Sequence, residues 1–199
     1  MAERTQAERS ATTIADLIAH ARALFATKGY NDTSIEDIVR RAGVTRGALY
    51  HHFDGKLALF KAVFSDVQRE LVEQTAKVAA PVPGGALDKL EAACQAFIDA
   101  CADPGVRQIF LVDGFTVLGW HELRRLEADH TLAALRSAID RAIAAGELAP
   151  RPPEPIVALL FGGLCEAAML GATSPTPEKT RAAVHDEIHR TFQSLRPPP

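Results

Sequence analysis

Helical periodicity is the feature that most constrains what this chain can fold into. Apolar residues recur at three- and four-residue steps along nearly all of its 199 residues, as in Leu17, Ile18, Ala21 and Leu24. This spacing places them on one face of an α-helix, and no stretch shows the sustained alternation of apolar and polar residues that is typical of a half-buried strand. The sequence therefore predicts an all-α fold of about nine helices.

Glycine and proline clusters divide this pattern into separate helices. The clearest loop is Pro81–Gly85, and a second proline-rich break covers residues 150–155. Before the second break, the apolar spacing predicts one long helix from Leu123 to Gly146. The last two helices are expected over Ile156–Ala172 and about Pro177–Leu195.

The charge balance argues against a protein that binds nucleic acid through a uniformly basic surface. Lys and Arg number 22 against 25 Asp and Glu, a formal net charge of −3. Hydrophobic residues make up 47% of the chain, enough for a packed core and too many for a disordered chain. The three cysteines include no CxxC pair, so neither a disulfide framework nor a cysteine-based zinc site is expected, and the expected compartment is the reducing cytoplasm.

Neither a secretory signal nor a membrane-spanning helix is expected. Residues 1–13 carry four charged side chains and no apolar run. The most apolar stretch, Ile156–Ala172, is about 17 residues long and contains Glu166, whereas a spanning helix needs ~20 apolar residues. We interpret this stretch as a buried helix.

Two short helices with a tight turn between them are predicted over residues 33–53. The hydroxyl of Thr33 or Ser34 can cap the first helix, because an acidic residue follows three positions later, as in a capping box. Gly43 ends that helix, and Thr45 can cap the next one, Arg46–Phe53. Two such helices joined by a glycine-containing turn form a helix-turn-helix.

The segment Gly29–Phe60 closely resembles the DNA-binding head of the tetracycline-repressor (TetR) family of one-component transcription regulators. The match extends from Ile14 to about Phe64. The resemblance implies a DNA-binding domain over residues 1–56 and a helical ligand-binding and dimerisation body over residues 57–199. It rests on residues at the family's spacing: Thr33-Ser34, Ile38-Val39, Ala42-Gly43-Val44, Leu49-Tyr50-x-His52-Phe53 and Lys56.

The resemblance also implies the partners. A regulator of this kind is expected to bind a palindromic double-stranded DNA operator as a homodimer, to need no cofactor and to respond to a small-molecule effector. Release of the operator on effector binding would make it a repressor. An activator, or a regulator that needs its effector as a co-repressor, is the alternative within the same fold.

The N-terminal end of the second short helix is predicted to read DNA bases, because a major groove admits one helix whose first turn reaches the base edges. Arg46 can pair with guanine O6 and N7, Gly47 allows close backbone approach, and Ala48 can touch a thymine methyl group. The resemblance adds further phosphate or base contacts. The predicted DNA-binding residues are Thr33, Ser34, Thr45, Arg46, Gly47, Ala48, Tyr50, His51 and Lys56.

Plain structural roles compete with several of these assignments. Tyr50 can be a core aromatic residue, and Thr45 can be only a helix cap. Residues 1–56 carry eight Lys and Arg against seven Asp and Glu, and Glu36 lies near the predicted DNA-facing side. We therefore expect few, locally placed phosphate contacts and an affinity that depends on salt.

The body is expected to supply the dimer interface. A two-fold dimer matches a palindromic operator, and the last two helices carry apolar stripes with small residues for close packing. Burial within the monomer is the alternative for the first of these helices. The predicted interface comprises Leu160, Gly163, Ala167, Val184, Ile188, Phe192 and Leu195.

Aromatic and sulfur-containing residues on the middle helices predict an effector pocket. Because the lining is mostly apolar, the effector should be mostly apolar with one or two polar groups. For each apolar member, plain core packing competes with a role in the pocket. The predicted lining is Phe97, Cys101, Phe110, Phe115, Trp120, His121, Phe161, Cys165 and Met169.

Catalysis and metal binding are not predicted. The sequence contains no glycine-rich phosphate loop, no HExxH and no GxSxG motif, so nothing places a nucleophile beside a base. A helical enzyme and a protein-binding module are the less favoured function classes.

Overall fold

The computed structural model describes residues 6–197 and, within these, the side chains of residue 8 and residues 10–197. All regular elements in this part of the chain are helices, which confirms the all-α prediction. Nine helices are present among residues 6–197 when the interrupted stretch 104–128 is counted once. The elements are α1 (Gln6–Lys28), α2 (Ile35–Ala42), α3 (Arg46–His52), α4 (Gly55–Ala79), α5 (Ala86–Ala100), α6 (Pro104–Arg107), a π-helix (Gln108–Asp113), α7 (Gly114–Ala128), α8 (Thr131–Ala144), α9 (Pro153–Thr173) and α10 (Pro177–Leu195).

The chain forms two compact units, and helix α4 contributes to both. Of the described residues, unit 1 contains those from 6 to 67 together with Pro104–Leu123. Unit 2 contains Gln68–Asp103 together with residues 124–197. The predicted helix-turn-helix therefore lies in unit 1.

Aromatic side chains build the core of unit 1. The Phe25 and Tyr30 rings both contact the Phe60 ring, with centroid distances of 5.3 and 5.1 Å. Phe64, one turn further along α4, stacks on Phe110 at 5.5 Å. Such pairs add about 0.5–1.5 kcal/mol each to the stabilisation from burial. They hold α1, α4 and the π-helix together.

The turn between α1 and α2 is tied to the π-helix by hydrogen bonds. The Tyr30 N–H donates to the buried Asp113 carboxylate at 2.8 Å, and Gln108 Nε2 donates to the same carboxylate at 3.1 Å. Gly29 adopts φ +76°, a conformation that glycine tolerates best. A Cβ at Gly29 would lie 3.2 Å from Gln108 Nε2, so the close approach also favours glycine.

Unit 2 packs α5, α8, α9 and α10 around an apolar core. Helix α5 contacts α8, α9 and α10, and both α8 and α10 contact α9. Glu147, just after α8, accepts hydrogen bonds from the N–H groups of Ala86 and Leu87 at 3.0 and 2.8 Å. These N–H groups begin α5 and have no partner within the helix, so the carboxylate caps α5. The buried side chains include Leu87, Leu90, Phe97, Ile139, Leu148, Phe161 and Phe192.

The predicted long helix from Leu123 to Gly146 is wrong, because α7 ends at Ala128 and α8 begins at Thr131. His130 between them has φ −132° and ψ −86°, outside helical geometry. The buried Thr131 hydroxyl donates to Gln68 Oε1 at 2.9 Å instead of capping α8. The apolar spacing continues across the break, so this tertiary contact leaves no trace in the sequence pattern.

The stretch 104–128 departs twice from regular α-helical geometry. Gln108–Asp113 winds as a π-helix, and Gly119 has φ +70° and ψ 162° inside α7. A π-helical turn contains more residues than an α-helical turn, and glycine adopts a positive φ at little cost. Both features rotate the side chains that follow them relative to the face that a continuous α-helix would give.

Helix α9 has one packed face and one open face. By length and mean hydropathy, 1.8 over an 18-residue window, it could cross a membrane, but 33% of that window is buried within the chain. Phe161 and Leu164 are buried in unit 2, whereas Leu159 and Leu170 are 77% and 56% exposed. The interpretation of α9 as a buried helix therefore holds for one face only.

Candidate DNA-binding surface and effector cavity

Side-chain caps position both helices of the helix-turn-helix. Ser34 Oγ accepts the Asp37 N–H at 3.0 Å at the start of α2, and Thr45 Oγ1 accepts the Ala48 N–H at 3.1 Å at the start of α3. Each cap satisfies an N–H group that a helix start leaves without a partner. Gly43 ends α2 with φ +67° and donates its N–H to the last turn of that helix. Local sequence thus determines the geometry of this turn.

Helix α3 has one buried face and one exposed face. Leu49 is fully buried in unit 1, whereas Arg46, Gly47 and His51 are exposed. Tyr50 is 45% exposed, so it is not a core aromatic residue. An exposed first turn on a capped helix matches the element that enters a major groove.

Arg46 is held on the exposed face by three contacts. Its Nη1 atom lies 2.5 Å from Glu36 Oε1, its Nη2 atom donates to the Tyr50 hydroxyl at 3.4 Å, and its guanidinium carbon lies 5.6 Å from the Tyr50 ring centroid. The Tyr50 hydrogen bond and the Glu36 charge raise the pKa of Arg46 above its ordinary value. The guanidinium is therefore a charged donor that already has an anionic partner.

Two residues predicted to bind DNA make contacts within the chain. The Thr33 side chain is buried and its hydroxyl donates to the Gly29 carbonyl at 2.8 Å, so it is not exposed for the predicted DNA contact. Lys56 Nζ donates to the carbonyl oxygens of Tyr30 and Thr33 at 2.9 and 3.0 Å and lies 4.1 Å from the Tyr30 ring centroid. Since an ammonium group has three hydrogens, Lys56 keeps at most one for a phosphate.

Unit 2 contains a cavity of about 280 Å³ between α4, α5, α8 and α9. Its polar lining consists of two threonines, Thr75 and Thr131, and two cations, Lys89 and Arg141, and it includes no carboxylate. A concave, mostly apolar space with a few polar groups is the usual form of a small-molecule site. The apolar lining includes Leu71, Ala76, Leu90, Ala93, Phe97, Ala134, Leu135, Ala138, Phe161 and Leu164.

The two cations lie toward the same end of this cavity. Lys89 precedes Phe97 on α5 by about 12 Å, and Arg141 follows Thr131 on α8 by about 15 Å, at 1.5 Å per residue. The contact of Glu147 with the start of α5 shows that the N-terminal end of α5 lies beside the C-terminal end of α8. One end of the cavity is therefore cationic and the other is lined by aromatic rings.

An open apolar groove of about 620 Å³ runs along α9 and α10. The strongly exposed Leu159 and Leu170 belong to it. Phe192 is only 1% exposed within the single chain, so almost none of its surface remains for a partner. Its side chain instead packs α10 against the core of unit 2. The groove lining includes every residue predicted for the dimer interface: Leu160, Gly163, Ala167, Val184, Ile188, Phe192 and Leu195.

Family models match both the helix-turn-helix and the helical body. The model described as bacterial regulatory proteins, tetR family, covers residues 17–63, and the tetracyclin repressor-like C-terminal domain covers residues 87–195. The chain belongs to the TetR family. It is a DNA-binding transcriptional regulator with a C-terminal ligand-binding domain, as the resemblance predicted.

Several known proteins are similar to this TetR-family chain over most of its length. The transposon Tn10 TetC protein of Escherichia coli is 26% identical over 82% of each chain. The transcriptional regulator SrpR of Pseudomonas putida is 33% identical over 74% of this chain and 68% of its own length. A TetR-family regulator from Pectobacterium atrosepticum, known from its crystal structure, is 29% identical, with a TM-score of 0.80 over 98% of this chain and 100% of its own. Such proteins are regulators and generally not enzymes.

Only two of the nine residues predicted for the effector pocket of this TetR-family chain line the cavity in unit 2. Phe97 and Phe161 line the cavity, with ring centroids 6.4 Å apart. Trp120 is 64% exposed and directly follows the non-helical Gly119. Seven predicted residues do not contribute to the lining: Cys101, Cys165 and Met169 in unit 2, and Phe110, Phe115, Trp120 and His121 in unit 1.

Alanines form much of the cavity wall, and none of them was among the predicted lining residues. Ala76 on α4, Ala93 on α5, and Ala134 and Ala138 on α8 all line the cavity. Small side chains on neighbouring helices leave space between them, whereas the aromatic residues on which the prediction relied tend to fill it. Alanines one turn apart on helices predicted to pack together are the signal that could have indicated this space.

Polar side chains are buried around the aromatic end of the cavity. Gln68, fully buried, accepts the hydrogen bond of Thr131, and the equally buried Glu127 lies 2.9 Å from Arg124. The Arg124 guanidinium lies 5.6 Å from the Phe161 ring centroid. Burial raises the pKa of Glu127 to about 7, and the charge of Arg124 opposes this shift. Within residues 6–197, Gln68 Nε2 has no hydrogen-bond partner, whereas Glu127 Oε2 is ion-paired with Arg124 Nη1.

The cysteines are poorly suited to redox chemistry. All three are free and buried. Burial raises the pKa of the Cys94 thiol to about 12 and also raises that of Cys165, and a protonated thiol is a weak nucleophile. Among the residues that the structure describes, no group of three or more His, Cys, Asp or Glu side chains could hold a metal ion.

Proposed function

We propose that this chain is a cytoplasmic repressor that binds a palindromic operator as a two-fold homodimer and releases it on binding a mostly apolar effector. DNA binding is assigned to residues 1–56, and ligand binding and dimerisation to residues 57–199. The observation that carries the proposal is the exposed, capped first turn of α3, with a charged arginine at its first position.

Base reading is assigned to the first turn of α3. Arg46 has two partners for its five N–H groups, so enough donors remain for guanine O6 and N7. A Cβ at Gly47 would have no neighbour closer than 3.9 Å, so this side of the helix is open to a DNA strand. The exposed Ser34, Tyr50 and His51 side chains supply further phosphate or base contacts.

The cavity in unit 2 is proposed as the effector site. Its aromatic end suits an apolar group, and Lys89 and Arg141 suit a polar or anionic group at the other end. Leu71 and Ala76 line the cavity and belong to α4, the 25-residue helix that begins at Gly55 in unit 1 and extends about 37 Å. An effector that displaces α4 therefore has a continuous helix through which to act on the DNA-binding residues.

The groove along α9 and α10 is proposed as the dimer interface. Large apolar side chains that stay exposed in a single chain indicate a surface that another protein surface covers. Leu159 and Leu170 have this property, and a two-fold dimer buries the same surface on both copies. Pairing two heads is what a palindromic operator requires.

Binding of the full-length protein to DNA from upstream of its own gene tests the proposal. Arg46→Ala should weaken binding by about 1–3 kcal/mol, or 5- to 150-fold, and abolish the preference at one base pair per half-site. Arg151→Ala removes an exposed arginine from a loop of unit 2 and should bind like the parent. If Arg46→Ala also bound every DNA like the parent, α3 would not be the recognition helix. An effector that tightens operator binding would identify a co-repressor-dependent regulator instead.

A further inference from the structure

An acidic side chain lies on the proposed DNA-facing surface, where phosphate repulsion disfavours it. Glu36 is on the first turn of α2, and its side chain is 58% exposed. Eight Lys and Arg against seven Asp and Glu leave residues 1–56 with a net charge of only +1, so one carboxylate here is a large fraction of the local charge. An acid at this place needs a compensating role if the surface binds DNA.

The contacts of Glu36 indicate that role. Its Oε1 atom lies 2.5 Å from Arg46 Nη1, while Arg46 Nη2 contacts the Tyr50 hydroxyl. The two partners hold different nitrogens of one planar group, so they restrict both the position and the plane of the guanidinium. Three of its five N–H groups stay available, and a bidentate contact with guanine needs two.

We propose that Glu36 is a specificity-determining residue that positions Arg46 for guanine and cancels its charge at other DNA sequences. This inference rests on the proposed recognition role of α3. At a guanine, the oriented guanidinium keeps Glu36 while it donates to O6 and N7. At any other base, Arg46 can contact only phosphates. Because its charge is then neutralised by Glu36, the ion pair attracts these phosphates less than a free guanidinium would.

A purely local role for Glu36 predicts a different behaviour. An acidic residue in the first turn stabilises a helix through the helix dipole, but Asp37 already occupies that turn and its N–H is capped by Ser34. Glu36 as a helix-stabilising residue would change stability and leave the ratio of operator to non-operator affinity unchanged. The ratio is therefore the quantity that separates the two roles.

The experiment uses the full-length protein, its selected operator and a scrambled duplex of equal length, over a range of salt concentrations. Glu36→Gln should tighten binding to the scrambled duplex about fivefold, since an exposed ion pair is worth up to about that factor. Glu36→Ala should in addition weaken operator binding, because it removes the acceptor that orients Arg46. The operator-to-scrambled ratio should fall in both variants, and base preference should weaken at the same base pair as in Arg46→Ala.

A double-mutant cycle decides whether Glu36 acts through Arg46. In an Arg46→Ala background, Glu36→Gln and Glu36→Ala should leave the ratio unchanged. An equal gain on both duplexes, an unchanged ratio, or the same fall in ratio without Arg46 would overturn the inference. Asp16→Asn removes an exposed carboxylate from α1 and controls for net charge, while circular dichroism confirms that each variant is folded. If Arg46→Ala itself had no effect on binding, the proposed recognition role of α3 would be wrong, whatever the Glu36 variants show.

Discussion

The DNA-binding head in unit 1 and the cavity region in unit 2 differ in how completely their polar side chains are hydrogen-bonded. In unit 1 the Thr33 hydroxyl, the Asp113 carboxylate and the Lys56 ammonium group all make hydrogen bonds with the turn between α1 and α2. In unit 2, Gln68 accepts the Thr131 hydroxyl through Oε1, but its Nε2 atom has no hydrogen-bond partner among residues 6–197.

This difference matches what each region has to do. A recognition helix must present its first turn in one geometry, and satisfied buried hydrogen bonds specify one geometry. A buried polar group without a partner costs about 1–3 kcal/mol, which water or a ligand can recover. Gln68 contacts Thr131, which lines the cavity, so a polar group that reaches Gln68 Nε2 would recover part of this cost.

The largest expected effect comes from a change in unit 2 that is far from α3 in sequence. Leu159→Asp places a charge on the proposed dimer interface, where burial of an unpaired charge costs several kcal/mol. We expect a monomer in light scattering and operator binding weaker by about 100-fold or more. Because Leu159 is 77% exposed in the single chain, the variant should fold.

Val78→Asp is the matched control for this prediction. Val78 is an exposed apolar residue of α4, 54% exposed and outside the groove, so its variant should remain a dimer. Phe192 is unsuitable for the test, because it is buried within the chain and its replacement by aspartate would unfold unit 2. An intact dimer of Leu159→Asp would move the interface elsewhere.

The next largest effect concerns pH and Glu127. The folded-state pKa of about 7 exceeds the ordinary value of 4.5, so the native state binds more protons than the unfolded state between these pH values. Stability should therefore fall by up to about 3 kcal/mol as the pH rises from about 4.5 to 7 and change little beyond. Glu127→Gln should remove this slope in urea unfolding measured at several pH values. An unchanged slope would mean that Glu127 is not the titrating group.

Filling the cavity should separate the two regions functionally. Ala134→Phe adds a ring inside the cavity and should weaken effector binding tenfold or more, about 1.4 kcal/mol, while operator binding without effector stays near the parent level. Ala133→Phe adds the same ring at an exposed neighbouring position on α8 that does not line the cavity. Titration of operator-bound protein with an apolar carboxylate, alcohol and amine of equal chain length checks both. If the same effector concentration released the operator from both variants, the effector site would lie outside this cavity.

The sequence predicted the head well because its geometry is encoded locally. Ser34, Gly43 and Thr45 act on helices within three residues of themselves, so caps and turn could be predicted from neighbouring residues alone. The exposed face of α3 followed from the same short segment. The contacts of Thr33 and Lys56 could not be predicted from the sequence, because their partners lie in a folded turn and not in the pattern of α3.

The cavity could not be predicted in the same way, since it depends on how distant helices pack. Phe97 and Phe161 are 64 positions apart in sequence, yet they line one space. The break before Thr131 and the bend at Gly119 both interrupt a continuous apolar spacing. Periodicity identifies which residues are buried, but it does not say which buried surfaces leave room for a ligand.

The smallest expected effect tests whether Lys56 belongs to the structure of the head or to its DNA-binding surface. Lys56→Met keeps most of the apolar stem but removes the hydrogen bonds to the Tyr30 and Thr33 carbonyls. Because the side chain is half-buried, we expect a loss of about 1 kcal/mol in urea unfolding, below the 1.5–3 kcal/mol of a fully buried charged hydrogen bond. A phosphate contact predicts something else: unchanged stability, and a plot of log affinity against log salt that is shallower by about one unit for each head. Lys61→Met is the control, since Lys61 lies on the same helix and pairs with the Glu122 side chain instead of the turn. Lower stability with an unchanged salt slope would place Lys56 with Thr33 and Asp113 among the residues that hold α2 and α3 in place. A shallower slope at parental stability would return it to the DNA-binding surface.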